Sequence, residues 1–215
     1  KHQQNPTELH QQLLSIRKQL FKHRENRIHP DNDTKVLCFW NGLMIHGMSI
    51  TGRLLNRPEY TESATRAAYF LKEHCWKDNQ LFASTKDGKT TLNAYIDDYA
   101  FLIYGLLELL QNKWDNVLYA WALELANKLL ADFEYTEPRS LFFTSHGHEE
   151  LIQRLKTFSG DVIPSGNAIA AHALNRLGDL SGDPEYNESA EKCLRSAWTA
   201  MNNAPISHCA LLNAL

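Results

Sequence analysis

Arg57-Pro58-Glu59-Tyr60-Thr61-Glu62-Ser63-Ala64 returns as Asp183-Pro184-Glu185-Tyr186-Asn187-Glu188-Ser189-Ala190, 126 positions further along the chain. Each copy follows an apolar helical stretch and opens an amphipathic one. A degenerate third copy lies between them, where Trp114-Asp115-Asn116 leads into the helical pattern of 117–126. The repeating unit is therefore a helical hairpin of roughly 60 residues, longer than a tetratricopeptide unit (about 34) or a HEAT or armadillo unit (about 40–47). The extra length is loop. A hairpin of this kind predicts an all-α fold, a partial α/α toroid in which inner and outer helices alternate around a ring.

Working outward, residues 7–25 carry Leu9, Leu13, Ile16 and Leu20 on one stripe with Arg17, Lys18 and Lys22 opposite, the pattern of an amphipathic helix. A polar link, 26–34, contains Pro30. The chain is thus expected to be one all-α domain over 1–215, with a leading helix and link over 1–34 and hairpins over 35–215. Inner helices are predicted over 41–55, 98–110 and 166–180, outer helices over 60–75, 117–132 and 186–202, and a last, cut-short helix over 205–215. Residues 99–107 are apolar nearly all round, as a helix buried on every side must be, whereas 62–73 carry one apolar stripe and a charged face. Gly42, Gly47, Gly105, Ala170 and Ala171 are small enough to let inner helices approach closely.

Loop lengths separate the two ends of this ring. Inner-to-outer links are short; outer-to-inner links, 76–97 and 133–165, are long. The first long link predicts a β-hairpin, 81–85 with 90–92, around Asp87-Gly88. Inner helices run in one direction, so their N-termini gather at the end carrying the long loops, which is the mouth. Long ordered loops are usually functional.

Composition narrows the partners. The 215-residue chain has a formal net charge of -3 and 43% hydrophobic residues, which argues against nucleic acid or an anionic membrane surface as partner. The longest apolar run, 99–107, is far short of the roughly 20 residues that span a bilayer. No apolar leader follows Lys1-His2-Gln3-Gln4-Asn5, and a start without methionine points to a piece of a larger protein. Cys38, Cys75, Cys193 and Cys209 have no metal-site spacing and fit buried, reduced thiols in a cytoplasmic protein.

Three polar clusters mark the inner-helix starts: Trp40-Asn41-Gly42, Asp97-Asp98-Tyr99 and Pro164-Ser165-Gly166-Asn167. Each is explained by helix capping alone. Together they also describe a bowl of free N–H donors and positive dipole ends suited to anions or hydroxyl-rich ligands, with Trp40, Tyr95 and Tyr99 as stacking surfaces or as core. Asp97 and Asp98 are the acid/base candidates, or simply match the helix dipole. The loop His146-Gly147-His148-Glu149-Glu150 supplies imidazoles and further carboxylates, and lacks a third spaced ligand for zinc. Arg154, Lys156 and Asp161 offer charge to substrate oxygens, or form surface ion pairs. No phosphate loop, nucleophile elbow or nucleotide fingerprint is present, so no metal or cofactor is expected.

Arg27-Ile28-His29-Pro30-Asp31-Asn32-Asp33-Thr34-Lys35-Val36-Leu37 followed by Trp40-Asn41-Gly42-Leu43-Met44-Ile45 resembles the start of the helical domain of YyaL-type, spermatogenesis-associated thioredoxin-like proteins. Asp98-Tyr99-Ala100 with Gly105-Leu106-Leu107-Glu108-Leu109 resembles that family's second inner helix. Arg154, Lys156, Asp161 and Pro164-Ser165-Gly166-Asn167 resemble its third. Cys38-Phe39 and Ala168 depart from its usual pattern. The resemblance implies a full-length protein with a thioredoxin-like domain followed by a six-hairpin α/α toroid similar to N-acylglucosamine 2-epimerase and six-hairpin glycosidases, of which this chain holds about half. It assigns no reaction.

Two functions follow as expectations. One is a carbohydrate-active or sugar-binding toroid fragment of isomerase or epimerase type, ahead of glycoside hydrolysis. Its catalytic candidates are Asp97, Asp98, His148 and Glu149. Its substrate-binding candidates are Trp40, Asn41, Tyr99, Arg154, Lys156, Asp161, Ser165 and Asn167. The other is a noncatalytic scaffold attached to a thioredoxin-like domain and inactive in isolation. An open ring exposes inner-helix surface and is expected to self-associate.

Overall fold

The proline of each octapeptide sits in the first turn of an outer helix, where its missing N–H costs nothing and its fixed φ already suits the helix. In the computed structural model, which describes residues 5–134, 140–149 and 151–215, these helices are α3 (Pro58–Cys75) and α7 (Pro184–Asn203). Asp183 caps α7 by accepting the Glu185 N–H at 3.0 Å. The degenerate copy starts α5 (Asn116–Phe133), where Asp115 accepts from the Val117 and Leu118 N–H groups at 2.9 and 3.1 Å.

The inner helices are α2 (Cys38–Leu54), α4 (Ile96–Asn112) and α6 (Gly166–Ser181). α4 lies in the middle, packed against α2 on one side and α6 on the other, with α5 behind it; α3 and α7 back α2 and α6. This is the alternation of a partial α/α toroid. A 3-10 turn (Pro205–His208) and α8 (Cys209–Leu212) close the chain. The core holds Trp121, Tyr99, Phe101, Phe133 and the leucines and isoleucines of α4. Cys38, Cys75 and Cys193 are buried free thiols; Cys209, expected inside with them, is exposed.

Residues 1–34 form a compact unit separate from 35–215. It contains α1 (Pro6–Glu25), whose Asn5 cap accepts the Thr7 N–H at 3.0 Å. Among the described residues no helix is long and apolar enough to cross a membrane.

The expected hairpin is β3 (Gln80–Lys86) and β4 (Lys89–Asn93), turning at Asp87 and Gly88 with φ of 51° and 73°. Positive φ at both central positions matches the strand twist and favours Asp-Gly. Two short strands not foreseen from sequence extend it: β1 (Val36–Leu37) and β2 (Trp76–Lys77) both pair antiparallel with β3.

Close approach of inner helices depends on two glycines. A Cβ on Gly42 would lie 2.7 Å from the Phe101 carbonyl carbon, and one on Gly105 would lie 2.5 Å from the Gly42 oxygen. Gly47, the third small residue singled out, meets nothing within 4 Å. Gly47→Ala is therefore expected to stabilise the fold by about 0.5–1 kcal/mol through helix propensity alone, read as a higher urea midpoint at unchanged slope.

Candidate functional site

The three inner helices begin on the same side, and the adjacent aspartates of α4 reach sideways to both neighbours. Asp98 Oδ1 accepts the Phe39 N–H of α2 at 3.1 Å, and its Oδ2 accepts the Tyr95 N–H at 2.9 Å. Asp97 points to the start of α6: a Cβ on Gly166 would fall on its Oδ1. The Gly166 N–H draws the Asp97 carboxyl pKa down, but burial dominates and pushes it up to about 6. Oδ1 itself is enclosed without a hydrogen-bond partner of good geometry. Burial likewise raises Asp98 to about 7, against the pull of the Tyr95 and Phe39 N–H groups.

These shifts have a signed consequence. A carboxyl whose folded pKa lies above the ordinary 3.8 holds its proton more tightly when folded, so its stabilising contribution is full below pH 3.8 and is lost as pH rises through the folded value. For Asp97 the loss between pH 4 and pH 8 is on the order of 2–3 kcal/mol. Asp97→Asn is expected to flatten that slope, measured as urea unfolding free energy against pH; parallel curves for the two proteins would refute it.

The long loops meet over the start of α4. Phe143 O accepts the Ile96 N–H at 3.1 Å, and the Tyr95 ring lies on Phe143 and His148, with centroids 5.0 and 4.8 Å away. His148 is engaged at both nitrogens: Nδ1 faces the Ser145 N–H and hydroxyl at 3.1 and 2.7 Å, and Nε2 faces Asn93 O at 3.3 Å. Arg154 donates to Thr144 O, contacts His146 Nδ1 at 3.1 Å, and shares the face of Phe142 with Lys156. Glu149 is exposed, and Glu150 lies outside the described residues. Among the described residues no three His, Cys, Asp or Glu side chains gather as for a metal ion.

Several other candidates are bound into the scaffold. Tyr99 is fully buried; its hydroxyl accepts the Leu81 N–H at 3.2 Å and its ring meets Phe133 edge-on. Asn167, also fully buried, donates to Thr157 O at 3.0 Å and accepts from Cys193 Sγ at 3.3 Å. Ser165 caps α6 by accepting the Ala168 N–H at 3.3 Å and donates to Phe158 O. Asn41 donates to Leu37 O at 2.8 Å. Trp40 is 62% exposed on α2. Asp161 lies on an exposed loop beside Ile206 and His208.

The most suggestive residues at the open face escaped the sequence reading. Two turns below Phe39, Asp97 and Ser165 stand His46, Tyr104 and His172, each seven residues on. The His46 ring stacks on Tyr104 at 4.2 Å and 15°, and His172 leans on the other side at 5.9 Å. Along α4 only Asp97, Tyr104, Gln111 and Asn112 are not buried, so Tyr104 marks the face that no layer covers. Burial lowers both imidazoles below their ordinary 6.5, leaving the rings neutral at pH 7; for His46, Glu108 opposes this while Arg176, Arg53 and His172 add to it, and for His172, Arg176 adds to it. The row was legible only by setting the three inner helices side by side from their first residues.

Below the row, Glu108 is nearly enclosed. Its Oε1 accepts from Arg53 Nη2 at 2.5 Å, and its Oε2 accepts from Arg176 Nη1 at 3.2 Å and from Gln111 Nε2 at 3.1 Å. The open face therefore has three levels: the Asp97 carboxyl at the helix starts, rings in the middle, and an Arg–Glu–Arg bridge at the base.

No family model matches the chain. Human spermatogenesis-associated protein 20 is 31% identical over 219 residues, covering 94% of this chain and 27% of that protein. The chain thus spans about a quarter of the length of this relative. Among solved structures, cellobiose 2-epimerase from Spirochaeta thermophila superposes with a TM-score of 0.63 at 17% identity, over 78% of this chain and 44% of that one. A family 76 α-mannanase of Bacteroides thetaiotaomicron gives 0.64 at 12%, over 79% and 46%. At such identities the likeness is one of fold, in which this chain supplies somewhat under half of a six-hairpin α/α toroid. The chain is thus similar to spermatogenesis-associated protein 20 along nearly all of its own length, and its fold is a partial α/α toroid.

Proposed function

We propose that the open face of the inner helices binds a carbohydrate and supports proton transfer of the isomerase or epimerase type. The observation that carries this reading is the His46–Tyr104–His172 row. The Tyr104 faces are taken by His46 and Arg176, so it is the rim of the packed rings that offers apolar surface to a sugar, and the neutral imidazoles accept and donate hydrogen bonds to hydroxyls. A neutral imidazole is also the form that removes a proton from carbon next to a carbonyl. Asp97, about 10 Å along α4 from this row, stands apart from the proton-transfer centre and is a candidate contact for a longer ligand. The epimerase fold of a structural neighbour supports the reading by analogy of scaffold.

The test is exchange of the C2 proton of a panel of aldoses, ketoses and disaccharides in D2O, followed by NMR. Wild type is expected to incorporate deuterium, and His46→Asn and His172→Asn each to slow it at least 100-fold, within the 10²–10⁴ ascribed to acid/base groups. Absence of both exchange and saccharide binding removes the proposal.

A second reading, a noncatalytic scaffold joined in a longer protein to a thioredoxin-like domain, is favoured by Trp40, Met44 and Leu54, exposed along α2. Such a patch marks an interaction surface. On this reading Trp40→Ser lowers self-association seen by light scattering, and neither histidine substitution changes any binding property.

A further inference from the structure

The base of the open face is charged out of balance. Arg53, Glu108 and Arg176 stand side by side on α2, α4 and α6, and two guanidinium groups share one carboxylate. The arginine side chains remain 38% and 31% exposed, whereas that of Glu108 is 6% exposed. Asp179, the next acid along α6, lines a recess together with Arg176 and accepts from Asn187 Nδ2 on α7 at 3.1 Å. With both histidines neutral, Arg53, Arg66, Lys113 and Arg176 stand against Glu62, Glu108 and Asp179 around this base, a net of one positive charge. Arg176 also lies over the Tyr104 ring at 5.6 Å, so its charge sits directly beside the packed rings.

We propose that this base recognises an acid group on the saccharide, so that the ligand is a sugar bearing a single carboxylate or phosphate. The inference rests on the carbohydrate reading above and specifies its substrate class. Guanidinium groups are planar, always charged and weakly hydrated, which suits them to carboxylate and phosphate oxygens. Glu108 holds both in place before ligand arrives, so little side-chain freedom is lost on binding. Asn112 helps, since its Oδ1 accepts from Arg53 Nη1 at 3.1 Å while its Nδ2 donates to Ser49 O at 2.7 Å. A neutral sugar makes the ring contacts and leaves the positive charge unanswered.

Titration calorimetry with D-glucuronate, D-glucose 6-phosphate and D-glucose, and with acetate and inorganic phosphate as acid groups without a sugar, tests the assignment. At least one acidic sugar is expected to bind tenfold or more tighter than glucose and more tightly than its bare anion, with affinity falling as salt rises. The stronger of the two identifies the acid group. Arg176→Gln and Arg53→Gln, each checked for retained helicity, are expected to abolish the preference while leaving glucose binding within about twofold of wild type; His172→Asn weakens acidic and neutral sugars alike. Glucose binding equal to both acidic sugars, or a preference that survives both arginine substitutions, overturns the acid-group assignment and leaves the carbohydrate reading standing. Failure of every sugar to bind overturns both.

Discussion

Gly105→Ala is expected to cost about 3 kcal/mol of stability, the upper end of what overpacking a closed interface usually costs. The added carbon would lie 2.5 Å from the Gly42 carbonyl oxygen and 3.4 Å from the Ile45 side chain. The first obstacle is backbone, so no rotamer change relieves it and α2 must move away from α4. That movement loosens the Asp98–Phe39 bond at one end and the Arg53–Glu108 pair at the other. The roughly 1 kcal/mol gained by replacing a helical glycine with alanine offsets part of the loss. Equilibrium urea unfolding decides the matter: a Gly105→Ala protein as stable as wild type would mean that the two helices do not approach as described.

The second large effect is at Glu108. Glu108→Leu removes the single carboxylate between two guanidinium groups and leaves like charges facing each other beside a half-buried imidazole. Breaking a fully enclosed pair costs about 3–5 kcal/mol. Because the arginines are about one-third exposed, water screens the remainder and a loss of about 2–3 kcal/mol is expected. The double variant Glu108→Leu with Arg176→Leu is expected to recover at least 1 kcal/mol of that loss, since one of the two unpaired charges is gone. If the double variant is no more stable than Glu108→Leu alone, the penalty comes from packing and the electrostatic account fails.

What the sequence disclosed and what it hid divide along one physical line. Features fixed by neighbours in the chain were legible. Pro58 and Pro184 start outer helices, Asp115 and Ser165 cap their own helices, and Asp87-Gly88 turns a hairpin, because each acts on backbone within a few residues. Features that depend on a partner far along the chain were not. α2 starts at Cys38, three residues before the periodicity suggests, with no side-chain cap of its own; the donor at Phe39 is satisfied by Asp98, 59 residues away. The strands Val36–Leu37 and Trp76–Lys77 are two residues each and exist only because β3 lies beside them. Tyr99, readable from sequence as a stacking surface or as core, is core, since the position after Asp98 turns toward the outer layer. His46 and His172 stand out only once α2 and α6 lie beside α4, since their partner Tyr104 is far from both in sequence.

The seven-residue spacing of the three levels sets a length rule for whatever the open face holds. Seven residues of helix rise about 10 Å, so the carboxyl of Asp97 and the ring of Tyr104 are separated by roughly that distance along the axis. A single pyranose is too short to touch both, whereas a two-ring saccharide laid along the axis reaches from one to the other. Discrimination by chain length would then come from the pitch of α4 itself.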